Sequence, residues 1–224
     1  MNQKLILKTN AARKAVEFIQ PGMCVGLGSG STSEIALKMI GDLDMELTGI
    51  ASSEKVADLA RSYGIKLVDH SKVNQLDINI DGADEVDQNY NMIKGGGGAL
   101  LREKINIMNA VRSIIIVDES KLVRTLGRFP LPVEVNPFGW ESAQRRIERE
   151  FEVEAGPRMS EQMFITDNGN YILDIHFDQI EDPDELDQAL KEIPGVLETG
   201  LFMDCIDTLV VGSTSQTKLI TVNR

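Results

Sequence analysis

Cysteine is scarce in this sequence and acidic side chains outnumber basic ones, and each of these features narrows the possible functions of the chain. Two cysteines among 224 residues cannot form a disulfide framework, and both lie in apolar runs typical of buried thiols in a reducing compartment. Asp and Glu outnumber Lys and Arg by 35 to 23, for a net charge of -12. Such a surface repels nucleic acid and anionic membranes, so we expect neither as a partner.

Long apolar runs are also missing. No stretch reaches the roughly 18 apolar residues of a membrane span. The segment 1–14 has no apolar core followed by a small-residue cleavage site, so we expect a cytoplasmic protein. The hydrophobic content of 42% and charged content of 26% are ordinary for a globular chain. The length suits one domain with a smaller appendage.

Helical and strand-like patterns alternate through the first half of the chain. Amphipathic periodicity predicts helices over 5–19, 31–41, 54–64 and 99–111. Short apolar runs predict strands within 23–28, 47–53, 65–69, 76–84 and 113–120. Ser31 or Thr32 is the expected N-cap of the second helix. This alternation predicts an α/β fold with a mostly parallel, doubly wound sheet.

The pattern changes near Phe129. Three prolines within 129–137 suit a crossing between domains. Beyond them we predict a β-α-β-β-α-β unit of ferredoxin-like α+β type. Its expected parts are a helix over 140–151, a hairpin over 163–177 turning at Asn168-Gly169, a helix capped by Asp182, and a strand over 196–203.

The end of the chain is expected to return to the first domain as strands within 207–222. The predicted division is therefore residues 1–129 plus 204–224 for the larger domain and 130–203 for an inserted smaller one. The smaller domain shows no cluster of chemical groups in its sequence, so we expect it to act in assembly.

The stretch "GLGSGSTSE" (26–34) follows a predicted strand and opens a predicted helix. Glycines there let the backbone approach a ligand, and N–H groups at a helix start favour an anion. The dinucleotide pattern fails because Ser31 or Ser33 stands where its third glycine belongs, and no Gly-Lys-Ser/Thr of a P-loop is present. A single phosphate, held by N–H groups and hydroxyls, fits the stretch. A tight turn without ligand is the alternative.

The stretch "DGADEVDQNYNMIKGGGGALLREK" (81–104) combines several acidic residues, Lys94 and a run of four glycines. Asp81 and Asp84 follow a predicted strand, and ligands of open α/β sheets bind beyond the carboxyl ends of strands. Lys94 precedes four glycines, more than a turn needs, which indicates backbone pressed against a ligand. Each feature also has a simpler explanation. The aspartates could form a solvated acidic loop or a Mg²⁺ or Ca²⁺ site, the glycines could form a flexible linker, and Glu103 could be an exposed helix residue.

An anion-binding loop, a lysine and three carboxylates suit proton abstraction beside a carbonyl. A carboxylate takes the carbon-bound proton as general base. Lysine and backbone N–H groups stabilise the enediolate oxygen, while a second carboxylate moves protons between oxygens. Aldose–ketose isomerisation of a sugar phosphate needs these parts and no cofactor.

The motifs "GSGST", "DGADE", "KGGGGALLREK", "DESK" and "FPLPVEV" occur in that order and together resemble ribose-5-phosphate isomerases of type A. "TDNGNYILD" and "IPGVLETGLF" resemble the smaller domain of that family. The resemblance implies a Rossmann-like domain with an inserted α+β domain, assembled as a homodimer or homotetramer. It implies interconversion of ribose 5-phosphate and ribulose 5-phosphate in the non-oxidative pentose phosphate pathway, with no metal and no cofactor.

The same resemblance implies roles for individual residues. Glu103 matches the general base, Asp81 matches the residue that assists opening of the furanose ring, and Asp84 and Lys94 match groups that handle the O1 and O2 protons and the enediolate charge. The implied substrate-binding residues are Lys8, Ser29, Gly30, Ser31, Thr32, Gly82, Ala83, Gly95, Gly96, Gly97 and Lys121.

Two departures from the family pattern stand out. Ser29 replaces a common threonine but keeps the hydroxyl. Gly98 replaces the first alanine of "KGGGAA" and is expected to loosen the start of the following helix, because glycine costs about 1 kcal/mol relative to alanine within a helix.

Two other functions remain open from the residues. One is a sugar-phosphate sensor, as in some bacterial repressors, although the acidic charge and the single helix before the first strand leave no place for a basic DNA-binding segment. The other is a different enzyme of the same fold, such as a CoA transferase or an amino-sugar-phosphate isomerase. A CoA transferase would use Glu103 as nucleophile but would give Asp81 and Asp84 no role.

Overall fold

The computed structural model describes residues 3–214 and 217–222, and the chain divides into two compact units. The larger unit comprises Met1–Ala83, Arg102–Leu122 and Asp204–Arg224, and the smaller comprises Asp84–Leu101 and Val123–Met203. The parts of the predicted larger domain at 1–2, 215–216 and 223–224 lie outside the described residues.

The described residues form six α-helices and fourteen β-strands. The helices are α1 (Gln3–Val16), α2 (Ser31–Gly41), α3 (Glu54–Ser62), α4 (Leu100–Met108), α5 (Trp140–Phe151) and α6 (Pro183–Lys191). The strands are β1 (Cys24–Leu27), β2 (Thr48–Ala51), β3 (Lys66–Leu67), β4 (Ile78–Asp81), β5 (Glu85–Val86), β6 (Met92–Ile93), β7 (Ser113–Asp118), β8 (Leu131–Val135), β9 (Glu154–Pro157), β10 (Tyr171–His176), β11 (Val196–Thr199), β12 (Leu201–Phe202), β13 (Thr208–Gly212) and β14 (Lys218–Thr221). Across residues 3–214 and 217–222, no helix has the length and apolar character needed to cross a membrane.

The larger unit is built on a seven-stranded sheet in the order β14-β13-β7-β4-β1-β2-β3. Every neighbouring pair is parallel except β13 with β14, which is antiparallel. The predicted doubly wound, mostly parallel sheet is therefore confirmed. Side chains alternate across a strand, so Ile78 and Ile80 of β4 join the main apolar core with residues of α1, α2 and α3. Asn79 and Asp81 consequently point to the opposite face.

The smaller unit contains a four-stranded antiparallel sheet in the order β11-β8-β10-β9. Its elements follow the chain order β8-α5-β9-β10-α6-β11, which is the predicted ferredoxin-like arrangement. The predicted helix over 140–151 is α5, and its apolar face packs into the core of this unit, where Ala143 and Ile147 are buried. Asp182 caps α6 as predicted, and its carboxylate accepts a hydrogen bond of 3.0 Å from the Glu185 N–H.

The predicted hairpin over 163–177 is half wrong. β10 is its second strand, but β10 pairs with β8 and β9 rather than with residues 163–165. The turn itself exists, closed by the Thr166 N–H donating to the Asn170 carbonyl at 2.8 Å. It is held from outside by the buried Glu134 carboxylate, which accepts hydrogen bonds from the Thr166 hydroxyl at 2.9 Å and the Asn170 amide at 2.8 Å.

The predicted strand over 196–203 is broken at Gly200. β11 belongs to the four-stranded sheet, whereas β12 pairs with β6 in a separate three-stranded sheet. Gly200 makes the break possible because a Cβ there would overlap the carbonyl oxygen of Lys94.

Residues 84–101 and 123–129, which the predicted division assigned to the larger domain, pack with the smaller unit. One reason is the pairing of β6 with β12. Another is the buried Glu85 carboxylate, which accepts hydrogen bonds from the N–H groups of Gly127 at 2.9 Å and Phe129 at 2.8 Å. These contacts join segments distant in sequence, so no local pattern could reveal them.

Candidate active site

The glycine–serine loop of the larger unit connects β1 to α2. Gly30 is the N-cap of α2, with φ of 89° and no side-chain capping bond. The predicted cap at Ser31 or Thr32 is therefore wrong: both residues lie inside the first turn. The Ser31 hydroxyl instead accepts a hydrogen bond of 2.7 Å from the Lys8 ammonium. An uncapped helix start beside a lysine is suited to bind an anion.

Asp81, the last residue of β4, lies beside this loop and is buried. Its Oδ1 accepts hydrogen bonds from the N–H groups of Gly82 at 2.7 Å and Ser29 at 3.1 Å. The Ser33 hydroxyl adds a longer bond of 3.4 Å. A Cβ at Gly28 would overlap the Asp81 carboxylate, so that glycine is required for the loop to approach the aspartate.

Glu103 reaches the same loop from α4 and is also buried. Its Oε1 accepts a hydrogen bond from the Ser29 hydroxyl. Ser29 thus links two acids, with its N–H on Asp81 and its hydroxyl on Glu103. The sequence identified Ser29 as a substrate-binding residue but carried no signal for this second contact.

The other predicted residues of the larger unit lie around the carboxyl ends of its parallel strands. Gly82 and Ala83 continue directly from β4, and Thr32 lies in the first turn of α2. Lys121 ends a short 3-10 helix, Glu119–Lys121, which follows the neighbouring strand β7. Among the residues described, no group of three or more His, Cys, Asp or Glu side chains is arranged to hold a metal ion.

Asp84 and the glycine loop meet within the smaller unit. The Gly96 N–H donates a hydrogen bond of 2.8 Å to the Asp84 carboxylate. A Cβ at Gly96 would lie only 2.9 Å from both carboxylate oxygens, so only glycine permits this approach. Gly96 and Gly97 are exposed, which leaves their peptide groups accessible to a ligand.

Lys94 precedes that loop and is 2% exposed. Its N–H donates to the Gly200 carbonyl at 2.9 Å, and its ammonium lies 5.5 Å from the centroid of the Phe202 ring. The β6–β12 pairing therefore holds both the backbone and the side chain of Lys94.

Gly98 closes the loop, and its predicted effect on the helix is wrong. α4 begins at Leu100, so Gly98 lies in the turn before the helix, where its N–H donates to the Gly95 carbonyl at 2.9 Å. Its φ of 82° is a conformation that suits glycine. A Cβ there would overlap the Phe164 ring.

Arg158 is a contact of the loop that the sequence analysis missed. Its guanidinium donates hydrogen bonds to the carbonyls of Gly95 at 2.7 Å and Gly96 at 3.1 Å. It is also paired with the Asp174 carboxylate, at 2.9 Å from Nε. No motif marks this arginine, which lies in an irregular segment after β9.

A parallel sheet with buried acids and an anion-binding helix start at its carboxyl edge is typical of α/β enzymes that act on small phosphorylated molecules. The sequence over residues 48–216 matches the family described as Ribose 5-phosphate isomerase A (phosphoriboisomerase A). This chain belongs to that family.

Curated relatives and solved structures agree with the family match. The chain is 47% identical over 216 residues to the ribose-5-phosphate isomerase A 1 of Oceanobacillus iheyensis, covering 95% of this chain and 96% of the relative. It is 46% identical over 218 residues to the ribose-5-phosphate isomerase A of a Jannaschia species, covering 92% and 83%. A solved D-ribose-5-phosphate isomerase in complex with phospho-erythronic acid superposes with a TM-score of 0.94 at 37% identity, covering 99% and 100%.

Proposed function

We propose that this chain interconverts D-ribose 5-phosphate and D-ribulose 5-phosphate through an enediolate, in the non-oxidative pentose phosphate pathway. The observation that carries the proposal is the pair of buried carboxylates, Asp81 and Glu103, linked by Ser29 in a member of this isomerase family. The solved relative bound to phospho-erythronic acid supports a phosphorylated ligand.

Glu103 is the proposed general base. It removes the proton from C2 of open-chain ribose 5-phosphate and returns it to C1, which converts the aldehyde to a ketone. The C2–H electron pair stays within the substrate as the enediolate, so the reaction needs no redox cofactor. Glu103 is buried, and the Ser29 hydroxyl holds its carboxylate in place, which favours the fixed geometry that a general base needs.

Asp81, Asp84 and Lys94 are proposed to handle the oxygen-bound protons. Asp81 assists opening of the furanose ring before isomerisation. Asp84 and Lys94 move the proton that leaves O2 toward O1, and the Lys94 ammonium stabilises the enediolate charge. The hydrogen bond from Gly96 to Asp84 supports a fixed orientation of this second carboxylate.

Substrate binding is proposed to use glycine-containing loops and lysines. Lys8 and the start of α2 supply positive charge and N–H groups for an anion, as their contact through Ser31 suggests. The proposed binding residues are Lys8, Ser29, Gly30, Ser31, Thr32, Gly82, Ala83, Gly95, Gly96, Gly97 and Lys121. We further propose a cytoplasmic homodimer or homotetramer in which the smaller unit contributes to assembly.

The decisive experiment is proton NMR of purified protein with ribose 5-phosphate in D2O containing EDTA. We expect ribulose 5-phosphate to form with deuterium at C1 or C2, because an enediolate intermediate lets the abstracted proton exchange with solvent. Absence of conversion, with ribose 5-phosphate still raising the melting temperature, would replace the isomerase by a sugar-phosphate sensor.

The role of Glu103 is tested by Glu103→Gln, which keeps the hydrogen bond from Ser29 but removes the base. We expect kcat to fall by about 10²- to 10⁴-fold, while ribose 5-phosphate still raises the melting temperature. Glu17→Gln, at an exposed glutamate paired with Lys14, is the matched control and should keep full activity. A fully active Glu103→Gln variant would exclude Glu103 as the base.

A further inference from the structure

The guanidinium of Arg158 holds two consecutive peptide groups of the glycine loop. It donates to the carbonyl of Gly95 at 2.7 Å and to that of Gly96 at 3.1 Å. The Arg158 side chain is 14% exposed and that of its partner Asp174 is 25% exposed, so the pair is largely shielded from water. A planar, charged fork of this kind forms short and directional hydrogen bonds.

Holding the carbonyls also orients the N–H groups of the loop. A trans peptide is planar, and its N–H points away from its C=O. With the Gly95 carbonyl held by Arg158, the Gly96 N–H points the other way and meets the Asp84 carboxylate at 2.8 Å. With the Gly96 carbonyl held, the Gly97 N–H is likewise directed away from Arg158.

The loop needs such an external restraint because of its composition. Glycine loses more conformational freedom on folding than any other residue, and here four stand in a row from Gly95 to Gly98. The segment that supplies Arg158 also supplies Phe164, whose ring covers Gly98. This segment is closed on itself by the Phe164 N–H, which donates to the Arg158 carbonyl at 2.9 Å.

Asp174 fixes the guanidinium on the sheet. It lies within β10, opposite Gly156 of β9, and accepts a hydrogen bond of 2.9 Å from Arg158 Nε while a second guanidinium nitrogen also contacts its carboxylate. A lysine would keep the charge but not this fork, because its ammonium is a single point of donation.

We propose that Arg158, held by Asp174, is a positioning residue that orients the Gly95–Gly96 and Gly96–Gly97 peptides so that the Gly96 N–H serves Asp84 and the Gly97 N–H is available to the substrate. The inference rests on the proposed isomerase function and gives the ferredoxin-like part of the chain a share in catalysis as well as in assembly.

The test compares Arg158→Met and Arg158→Lys with wild type and with Lys191→Met. Lys191 is the matched control because it is also a paired cation of the smaller unit, but its partners are Asp187 at 3.0 Å and Glu198 at 2.7 Å rather than the glycine loop. We expect kcat to fall about tenfold or more in Arg158→Met, with a smaller change in KM, because the loop contributes more to the transition state than to ground-state binding. Arg158→Lys should fall between Arg158→Met and wild type, and Lys191→Met should keep the wild-type kcat.

Hydrogen exchange gives a readout that does not depend on activity. Backbone amides of residues 95–98 should exchange faster in Arg158→Met than in wild type, while Lys191→Met should leave them unchanged. If Arg158→Met fails to fold, Arg158→Lys carries the same comparison.

Each outcome decides one of the two proposals. Unchanged exchange of the loop amides in the Arg158 variants would overturn the positioning role, as would faster exchange with an unchanged kcat. A wild-type protein that does not convert ribose 5-phosphate would overturn the isomerase proposal instead, and loop exchange would then decide by itself whether Arg158 orders the loop.

Discussion

At the scale of single residues, Ser29 brings together two acids that are distant in sequence. Its N–H binds Asp81 and its hydroxyl binds Glu103. Threonine, which is common at this position in the family, also carries a hydroxyl. Either residue can therefore donate the hydrogen bond to Glu103. Gly28 and Gly96 act in the complementary way, because the absence of a side chain lets the carboxylates of Asp81 and Asp84 approach the backbone there.

Gly98 offers a residue-scale prediction that follows from its turn. Gly98→Ala would place a Cβ against the Phe164 ring at a φ of 82°. We expect a loss of at least about 1–2 kcal/mol in the free energy of unfolding, because left-handed backbone costs an L-residue that much before any overlap is counted. Urea denaturation measures the change.

Gly156→Ala is the control for that measurement. Gly156 lies in β9, where a Cβ would meet nothing within 4 Å and φ is not positive. The control should be neutral or slightly stabilising, since alanine restricts the unfolded chain. Equal stability of the two variants would mean that Gly98 is not strained by a side chain.

At the scale of secondary-structure elements, one lysine joins α6 to β11. The Lys191 ammonium contacts Asp187 on the same helix and Glu198 on the strand. Partial burial alone would lower the pKa of Lys191, but hydrogen bonds to Glu198 and Asp187 outweigh it and hold that pKa above the usual value of 10.5. The protonated lysine is therefore favoured by the folded state.

The pH dependence of this contact has a definite sign. A pKa raised on folding gives stabilisation that is fully present below the unfolded pKa and is lost as the pH rises through the folded one. The melting temperature of wild type should therefore exceed that of Lys191→Met from neutral pH up to 10.5, and the difference should shrink above it. A difference that grows at alkaline pH would contradict this assignment.

The larger unit of the molecule carries both thiols of the chain. Cys24 is 7% exposed and Cys205 is 3% exposed, and burial is the main cause that raises the pKa of the Cys24 thiol. Both effects slow attack by thiol reagents, because the thiolate is the reactive form and must be reached by the reagent.

Thiol reactivity should therefore report the unfolding of that unit. We expect negligible reaction of native protein with an aromatic disulfide reagent at mildly alkaline pH, and two thiols per chain after denaturation in urea. The rate at intermediate urea should follow the loss of circular dichroism. A thiol that reacts quickly in native buffer would show that this part of the core opens locally.

Much of the architecture was predictable because it depends on local periodicity. The alternation of apolar runs and amphipathic segments predicted the strands and helices of the parallel sheet. Local patterns also predicted the Asp182 cap of α6 and the helix α5. The error at the predicted hairpin has a non-local cause. Residues 163–165 have the composition of a strand, but the turn that follows them is held by hydrogen bonds from Thr166 and Asn170 to Glu134. Glu134 is more than 30 residues away in the chain, so no local pattern predicts this contact.

The order of helices and strands, and the set of acids, lysines and glycines available for chemistry, follow from side-chain type and spacing along the chain. Which of these groups meet depends on the tertiary fold. The contacts of Ser29 with Glu103 and of Arg158 with Gly95 join segments far apart in the chain. Hydrogen bonds act over about 3 Å, so such contacts exist only once the sheets have brought those segments together.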